Sequence, residues 1–273
     1  MPEGPEVSYM KYYLQKKFIN TSKKTDKSDK IKTKKPCYLT NLHILGGRYS
    51  RHGNPKEFNE FQRNLPSKIL DIDNKGKLLY IKLENNLNIV ITLGLTGIIK
   101  YECEKHCHYK FDTSCGHFYL KDKRNFGTIS FMNDVQLEDK LNTIGPDLLN
   151  QKITFQQFSE KVNTYPEKEI GIVLLNQKLF SGIGNYIRCE ALYEAKISPF
   201  RLIKNINSIE LKLLFNKIKT IMKNAYNSHI ENNYHKSYQF KVYKRTLTNK
   251  NEKVIRQKLE KGRNVYWVPS VQK

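Results

Sequence analysis

The spacing of apolar residues changes once along this chain of 273 residues, and that change limits the folds open to it. Between residues 39 and 131 the apolar residues come in short runs, LTNLHIL, SKILDID, LLYIKL and NIVITL. Gly-Gly, Asn-Lys-Gly and Glu-Asn-Asn bound them. Such runs closed by turn formers predict β-strands, and several at short spacing predict a sandwich or a barrel. At IGPDLLN, residues 144–150, the pattern switches. From Thr154 to about Ser228 apolar residues recur at three and four, as in Phe155/Phe158/Val162, Ile172/Leu175/Leu179 and Leu211/Leu214/Phe215/Ile218. That is the period of helices with one buried face. Val7, Met10, Leu14 and Phe18 predict a further amphipathic helix over residues 5–18. The tail FKVYKRTLTNKNEKVIRQKLEKGRNVYWVPSVQ alternates around a Lys-Gly turn and predicts a terminal β-hairpin. The chain therefore reads as α+β, β-rich first and helical second, with the boundary at residues 136–150.

Charge narrows the partners. Lys and Arg number 48 against 26 Asp and Glu, a net +22, which favours a polyanion and most simply nucleic acid. An anionic membrane surface is the other reading, but no apolar run is long enough to span a bilayer. The longest, residues 89–99, is interrupted by Thr92, Gly94, Thr96 and Gly97. The start has no apolar core of a signal peptide, and five cysteines, an odd number, suggest reduced thiols. The expectation is an intracellular protein with access to DNA, in cytoplasm, viral factory or nucleus, and not a secreted one. With 38% hydrophobic residues, among them 17 Tyr and 13 Phe, the chain can fill a core. Residues 20–36, rich in Lys, read as a solvated loop.

Two stretches could carry chemistry. The first is MPEGPE at the start. Two prolines and a glycine keep a helix from reaching the terminus, and one reading is simply a frayed end. The other is chemical. Removal of Met1 would make Pro2 the terminus, with a secondary amine of pKa near or below about 8. Such an amine attacks a sugar aldehyde carbon and gives an iminium, which is charged without an added proton and draws electrons. Glu3 beside it could donate and accept protons. The second stretch is LLNQKLFSGIGNYIRCEALYEAKISPF, residues 174–200. A helix is expected to end near Lys178, Gly182 and Gly184 to make a tight turn, and Asn185 to cap the next helix. Free amides at such a helix start can hold a phosphate, although many such turns only join packed helices.

LLNQ followed by GIGNYIRCEALY resembles the helix–two-turn–helix of the formamidopyrimidine-DNA glycosylase/endonuclease VIII family. PEGPE resembles that family's start, and NKGKLLY, TLGLTG, KRNFG and GPDLL fall in its order. NYIRCEALYEAKISPF is most similar to the endonuclease VIII-like branch of vertebrates, and GRNVYWVPSVQ to plant and viral members. The resemblance implies an N-terminal helix and β-sandwich domain over residues 1–135, a linker over 136–150, and a helix–two-turn–helix domain over 151–238. A β-hairpin finger would occupy residues 239–273.

The resemblance also implies roles. Pro2 would attack C1′ of a damaged nucleotide, Glu3 would assist sugar opening and proton transfer, and Glu6 would support them. Lys77 would bind the phosphates flanking the lesion. Asn185, with Gly184 in the turn, and Arg263 would bind phosphate, and Glu190 would join the DNA-contacting set and help close the site. Flipping a base leaves a hole in the duplex. Leu95 would wedge into it while Arg124 and Phe126 supported the opposite strand. The implied activity is a bifunctional DNA glycosylase and AP lyase needing no cofactor, with damaged double-stranded DNA as its partner, and a monomer is expected.

Four features depart from the family's pattern. No cysteine follows Cys189, so the finger must be held without the four-cysteine zinc site of many members, with Val265, Tyr266, Trp267 and Val268 as its expected packing. The stretch CEKHCHYKFDTSCGH places Cys103, His106, Cys107, His108, Cys115 and His117 close in sequence, and soft ligands of this kind could chelate zinc. A Cys- and His-rich loop between strands is the other reading. Asn125 stands where several members carry arginine. The segment before the finger is short, which favours oxidised pyrimidines, formamidopyrimidines and hydantoins. An 8-oxoguanine preference, a non-catalytic damaged-DNA-binding protein and a membrane-surface or polyphosphate binder are the rival readings.

Overall fold

The computed structural model describes residues 2–19, 35–231, 238–259 and 262–273. The expected lysine-rich loop, but for residues 35 and 36, lies outside the described residues, as does the middle of the segment before the finger. The chain divides into two compact units, Met1–Pro2 with Val7–Asn142, and Glu3–Glu6 with Thr143–Lys273.

Helix α1, Gly4–Leu14, tolerates Pro5 because a first-turn N–H has no partner inside the helix. A π-helical turn, Gln15–Ile19, extends it, and the Gln15 amide donates to the Ile72 carbonyl at 2.7 Å. Val7, Met10, Leu14 and Phe18 are all buried, as their spacing predicts.

The first unit continues with β1 (Tyr38–Ile44), the short helices α2 (Arg48–His52) and α3 (Phe58–Arg63), β2 (Ser67–Lys75), β3 (Leu78–Leu83) and β4 (Leu87–Thr92). Then come β5 (Gly97–Lys100), β6 (Cys107–Thr113), β7 (Gly116–Asp122), β8 (Thr128–Met132) and helix α4 (Asp134–Asn142). The antiparallel order is β5-β7-β6-β1-β2-β3-β4-β8. Strands β1 and β2 pair only at Tyr38↔Lys68 and Leu39↔Ser67. The order therefore breaks there into two four-stranded halves, and of the two expected architectures the chain adopts the sandwich. Aromatic rings fill one side: Phe111 stacks on Phe118 at 4.4 Å, and Phe18 of the π-helical turn meets Phe118 at 5.4 Å.

The second unit contains α5 (Phe155–Asn163), α6 (Ile170–Val173), α7 (Asn185–Glu194), α8 (Ser208–Glu231), and the hairpin strands β9 (Ile255–Lys258) and β10 (Asn264–Trp267). Helix α5 begins with a capping box between Thr154 and Gln157. Its Phe158 and Val162 pack with Leu211, Leu214, Phe215 and Ile218 of α8 in one core. The helix expected to reach Lys178 is shorter: α6 ends at Val173, and turns follow. Residues Asn185 to Leu192 of α7 are all buried. Its polar side chains must therefore find partners inside the protein. Packing holds the hairpin: Val265 and Val268 are buried with Cys189, Val242, Val254 and Leu259, and Trp267 meets Phe200 edge-on at 5.2 Å.

Candidate active site and DNA-contacting residues

From Pro2 onward the start of the chain is not frayed. Glu3 is fully buried, and its carboxylate accepts the backbone N–H of Tyr186 at 2.9 Å and of Ile187 at 3.2 Å. These amides belong to the first turn of α7, which offers them no acceptor within the helix, and the helix dipole favours an anion there. Two expectations are corrected here. Asn185 does not cap α7: the cap residue is Gly184, with no side-chain cap, and Asn185 is the first helical residue. The amides proposed for a phosphate are taken by Glu3 instead.

The turn before α7 is shaped for this contact. Gly182 has φ 88°, a left-handed conformation that favours glycine. Gly184 has an ordinary φ of −124°, but a Cβ there would overlap the Glu3 carboxylate. Its glycine is a matter of space. Gln177 braces the loop, its amide nitrogen donating to the carbonyls of Leu175 (3.0 Å) and Ile183 (2.8 Å), its oxygen accepting from Gly182 N–H (3.2 Å). Gly4 N–H donates to the Gly182 carbonyl at 2.8 Å.

Glu6 fixes the same segment. Its carboxylate accepts the Glu3 N–H at 2.8 Å, reaching back across the first turn of α1. It also accepts the Tyr186 hydroxyl at 3.0 Å and lies 3.0 Å from His229 Nε2. Pro2, immediately before, is buried and counts with the first unit.

Asn185 and Arg263 belong to one network. The Asn185 amide donates to the Asn264 carbonyl at 2.9 Å, and its oxygen accepts from the Arg188 guanidinium. Arg188, fully buried, also donates to the carbonyls of Gly171 at 2.7 Å and Asn264 at 3.2 Å. Burial lowers the pKa of Arg188, with Cys189 and Glu3 acting against it. Arg263 is exposed immediately before β10. Glu190 departs from its expected place among DNA-contacting residues. It is fully buried, and its carboxylate accepts the N–H groups of Lys241 (2.8 Å), Val242 (3.0 Å) and Tyr243 (2.8 Å). It holds backbone and has no face for DNA.

In the first unit Lys77 follows Gly76 (φ 56°) in the tight β2–β3 turn. Asn74 ties that turn to α1, donating to Ser8 Oγ and the Gly76 carbonyl, both at 3.1 Å. Leu95, in the β4–β5 turn, is half-buried, and Arg124 and Phe126 are exposed. The Arg124 guanidinium lies 5.0 Å from the Phe126 ring centre. A Cβ on neighbouring Gly94 would stand 2.7 Å from the Phe126 carbonyl carbon, so the two loops touch. Buried Asp122 organises both, accepting the Thr96 hydroxyl and the N–H groups of Gly127 (2.7 Å) and Arg124 (3.3 Å). Sequence reading missed Asp122, Arg188, Gln177 and His229. Gln177 and Arg188 stand inside the quoted motif, whereas Asp122 and His229 carry no sequence signal.

The Cys/His stretch is not one metal site. Strand β6 runs between its ends, putting Cys107 and Cys115 about 25 Å apart by extended-chain rise. Cys107 is buried, and His117 faces Asp112 across the far end of the β6–β7 hairpin. Among the described residues no three His, Cys, Asp or Glu side chains form a group able to hold a metal. No described helix is long and apolar enough to cross a membrane.

Comparison with known proteins agrees with this geometry. Residues 1–129 match the formamidopyrimidine-DNA glycosylase N-terminal domain, and residues 144–234 match the formamidopyrimidine-DNA glycosylase H2TH domain. The formamidopyrimidine-DNA glycosylase of Rickettsia felis is 26% identical over 234 residues, covering 82% of this chain and 77% of its own. That of Carboxydothermus hydrogenoformans is 28% identical over 228 residues, covering 81% and 76%. The Lactococcus lactis Fpg (MutM) solved with an oxidized pyrimidine containing DNA shares the fold at TM-score 0.79 and 22% identity, over the whole of both chains.

Proposed function

The chain belongs to the formamidopyrimidine-DNA glycosylase family, with its N-terminal and H2TH domains in that order, and from that premise we propose that it is a bifunctional DNA glycosylase and AP lyase of base excision repair. Pro2 is the nucleophile once Met1 is removed. Its amine attacks C1′, the damaged base departs with the electrons of the glycosidic bond, and an iminium forms. The iminium draws the electrons of successive β- and δ-elimination, which release the 3′ and 5′ phosphates. The reading uses no cofactor because that iminium is the electron sink.

The observation that carries this reading is the seat of Glu3 on the first turn of α7. One peptide from Pro2, a carboxylate is held by two N–H groups, and the Glu6 carboxylate holds the Glu3 backbone. A proton donor and acceptor is thereby fixed beside the proposed nucleophile. Lys77, Arg263 and the second N–H of the Asn185 amide, whose first goes to the Asn264 carbonyl, bind phosphates, a sequence-independent contact that the net charge of +22 strengthens. Leu95, Arg124 and Phe126 fill the space left by the flipped base; the apolar and cationic faces of the last two are suited to an orphaned base. The lesion class is oxidised pyrimidines, formamidopyrimidines and hydantoins. The short segment between α8 and the finger supports it. The protein acts as a monomer with a zincless finger.

Borohydride trapping on thymine glycol duplex tests the reading. Wild type forms a covalent complex, and Pro2→Gly or a form with an uncleaved N-terminal tag does not. Failure of wild type with a confirmed Pro2 terminus to trap on abasic duplex would overturn the chemistry. Faster excision of 8-oxoguanine than of thymine glycol would overturn the lesion class alone.

A further inference from the structure

We propose that Cys37 and Cys115 form a thiol-oxidation site, closing an intramolecular disulfide by exchange with a low-molecular-weight disulfide such as glutathione disulfide. The five cysteines are free thiols. Cys37 immediately precedes β1, and Cys115 sits in the two-residue turn between β6 and β7. Strands β1 and β6 are antiparallel with Leu39 opposite Thr113. One step on, Ser114 N–H donates to the Tyr38 carbonyl at 2.8 Å and Tyr38 N–H to Ser114 Oγ at 2.9 Å. One residue beyond that contact stand Cys37 on the β1 side and Cys115 in the turn. A disulfide between them needs their Cα atoms about 4.4–6.8 Å apart. The backbone of Cys37 is fixed from its other side too, its carbonyl accepting Ile69 N–H at 2.8 Å.

The Cys115 thiol is among the groups that act on the Cys37 thiol, and the two differ in access. Cys115 is exposed and Cys37 is buried. Burial, then the Cys115 thiol, raise the pKa of Cys37, so Cys115 is the thiol that meets the oxidant. Its thiolate attacks one sulfur of glutathione disulfide, forming a mixed disulfide and releasing one glutathione thiolate. The Cys37 thiolate then attacks the Cys115 sulfur, the Cys37–Cys115 bond forms, and the second glutathione leaves. The protein loses two electrons and two thiol protons. Glutathione disulfide gains both electrons, and the protons end on the two released thiols. The chemistry uses none of the residues proposed for DNA and stands independently of that reading.

The competing partner for either thiol is the pair at the opposite end of β6. Cys103 is exposed, and Cys107 is buried with Glu104 N–H donating to its sulfur at 3.3 Å. The fifth cysteine, Cys189, is buried in the hairpin core and its thiol is pushed up to about 12 by burial.

The test equilibrates the full chain in glutathione buffers of rising oxidised fraction, blocks free thiols with N-ethylmaleimide, and maps the peptides by mass. The expected result is a linked peptide pair carrying Cys37 and Cys115, lost on dithiothreitol treatment and absent from Cys115→Ser, which changes only an exposed turn residue. Cys103→Ser retains the link. A stable glutathione adduct on Cys115 with Cys37 still alkylated after denaturation overturns the proposal. A link confined to Cys103 and Cys107, or one found only between two chains, overturns it as well.

Discussion

The carboxylate of Glu6 and the imidazole of His229 meet at 3.0 Å although 223 residues separate them in sequence. His229 is only 3% exposed, so water does not compete for the contact. Removing its donor leaves a buried carboxylate with fewer partners, a loss of about 1–3 kcal/mol. His229→Phe is expected to lower the urea-unfolding free energy by that amount. His229→Gln keeps a donor and is expected to lose less. In single-turnover trapping, His229→Phe should slow iminium formation more than it weakens affinity for an abasic-analogue duplex, because Glu6 holds the Glu3 backbone next to Pro2. Equal losses for Phe and Gln would show that the Nε2 contact has no specific part.

Gly184→Ala separates space from backbone strain. At φ −124° alanine is unstrained, and the nearest obstacle is the Glu3 carboxylate, which stands where the methyl must go. The substitution is expected to displace Glu3 from the amides of Tyr186 and Ile187 and slow trapping about 100-fold or more, the range for loss of a general acid–base group. Glu3→Gly removes the obstacle. In that background Gly184→Ala should cost little stability, and a double-mutant cycle measures the difference. Additive losses would refute a steric conflict between the two positions.

How far the sequence could be read follows from these contacts. The strands and the core of the second unit were legible because hydrophobic period follows burial, as with Phe158, Val162, Leu214 and Ile218. The short helices α2 and α3 were not, since about one turn and a half leaves no period to detect. Asn185 looked like a cap because Asn commonly is one. The seat had already been filled by Glu3, a partner far away in sequence. Glu190 looked like a site residue because a carboxylate inside a helix motif suggests chemistry. Only the fold shows three backbone N–H groups converging on it. Local signals carried the elements, and long-range polar partners were hidden.

Asp122 is the test of the loops that carry Leu95, Arg124 and Phe126. Its buried carboxylate accepts from the Thr96 hydroxyl and from Gly127 N–H at 2.7 Å. Asp122→Ala strands these donors, and a stability loss of about 2–3 kcal/mol is expected. On the proposed reading it also reduces discrimination between bases opposite the lesion, while trapping on single-stranded abasic DNA, which has no opposite base, is unchanged. An equal fall on both substrates would place Asp122 in general folding and not in the void-filling loops.

Glu190 gives a prediction in pH. Burial raises its carboxyl above the ordinary value of 4.5, while the N–H groups of Tyr243, Lys241 and Val242 pull it down, and the net direction is upward. Between 4.5 and the raised folded value, the native state holds more protons than the unfolded state. The stability that Glu190 contributes therefore falls as pH rises through that window and is level above it. Glu190→Gln has no proton to lose, and its amide NH₂ cannot accept from all three N–H groups. The variant is expected to be less stable than wild type, with the gap widest at the acid end and narrowing as pH rises above 4.5. Urea unfolding of both proteins from below 4.5 to neutral pH measures it. A gap that instead widened as pH rose to 4.5 and levelled above it would mean that the three N–H groups outweigh burial, and that the folded carboxyl is held below its ordinary value.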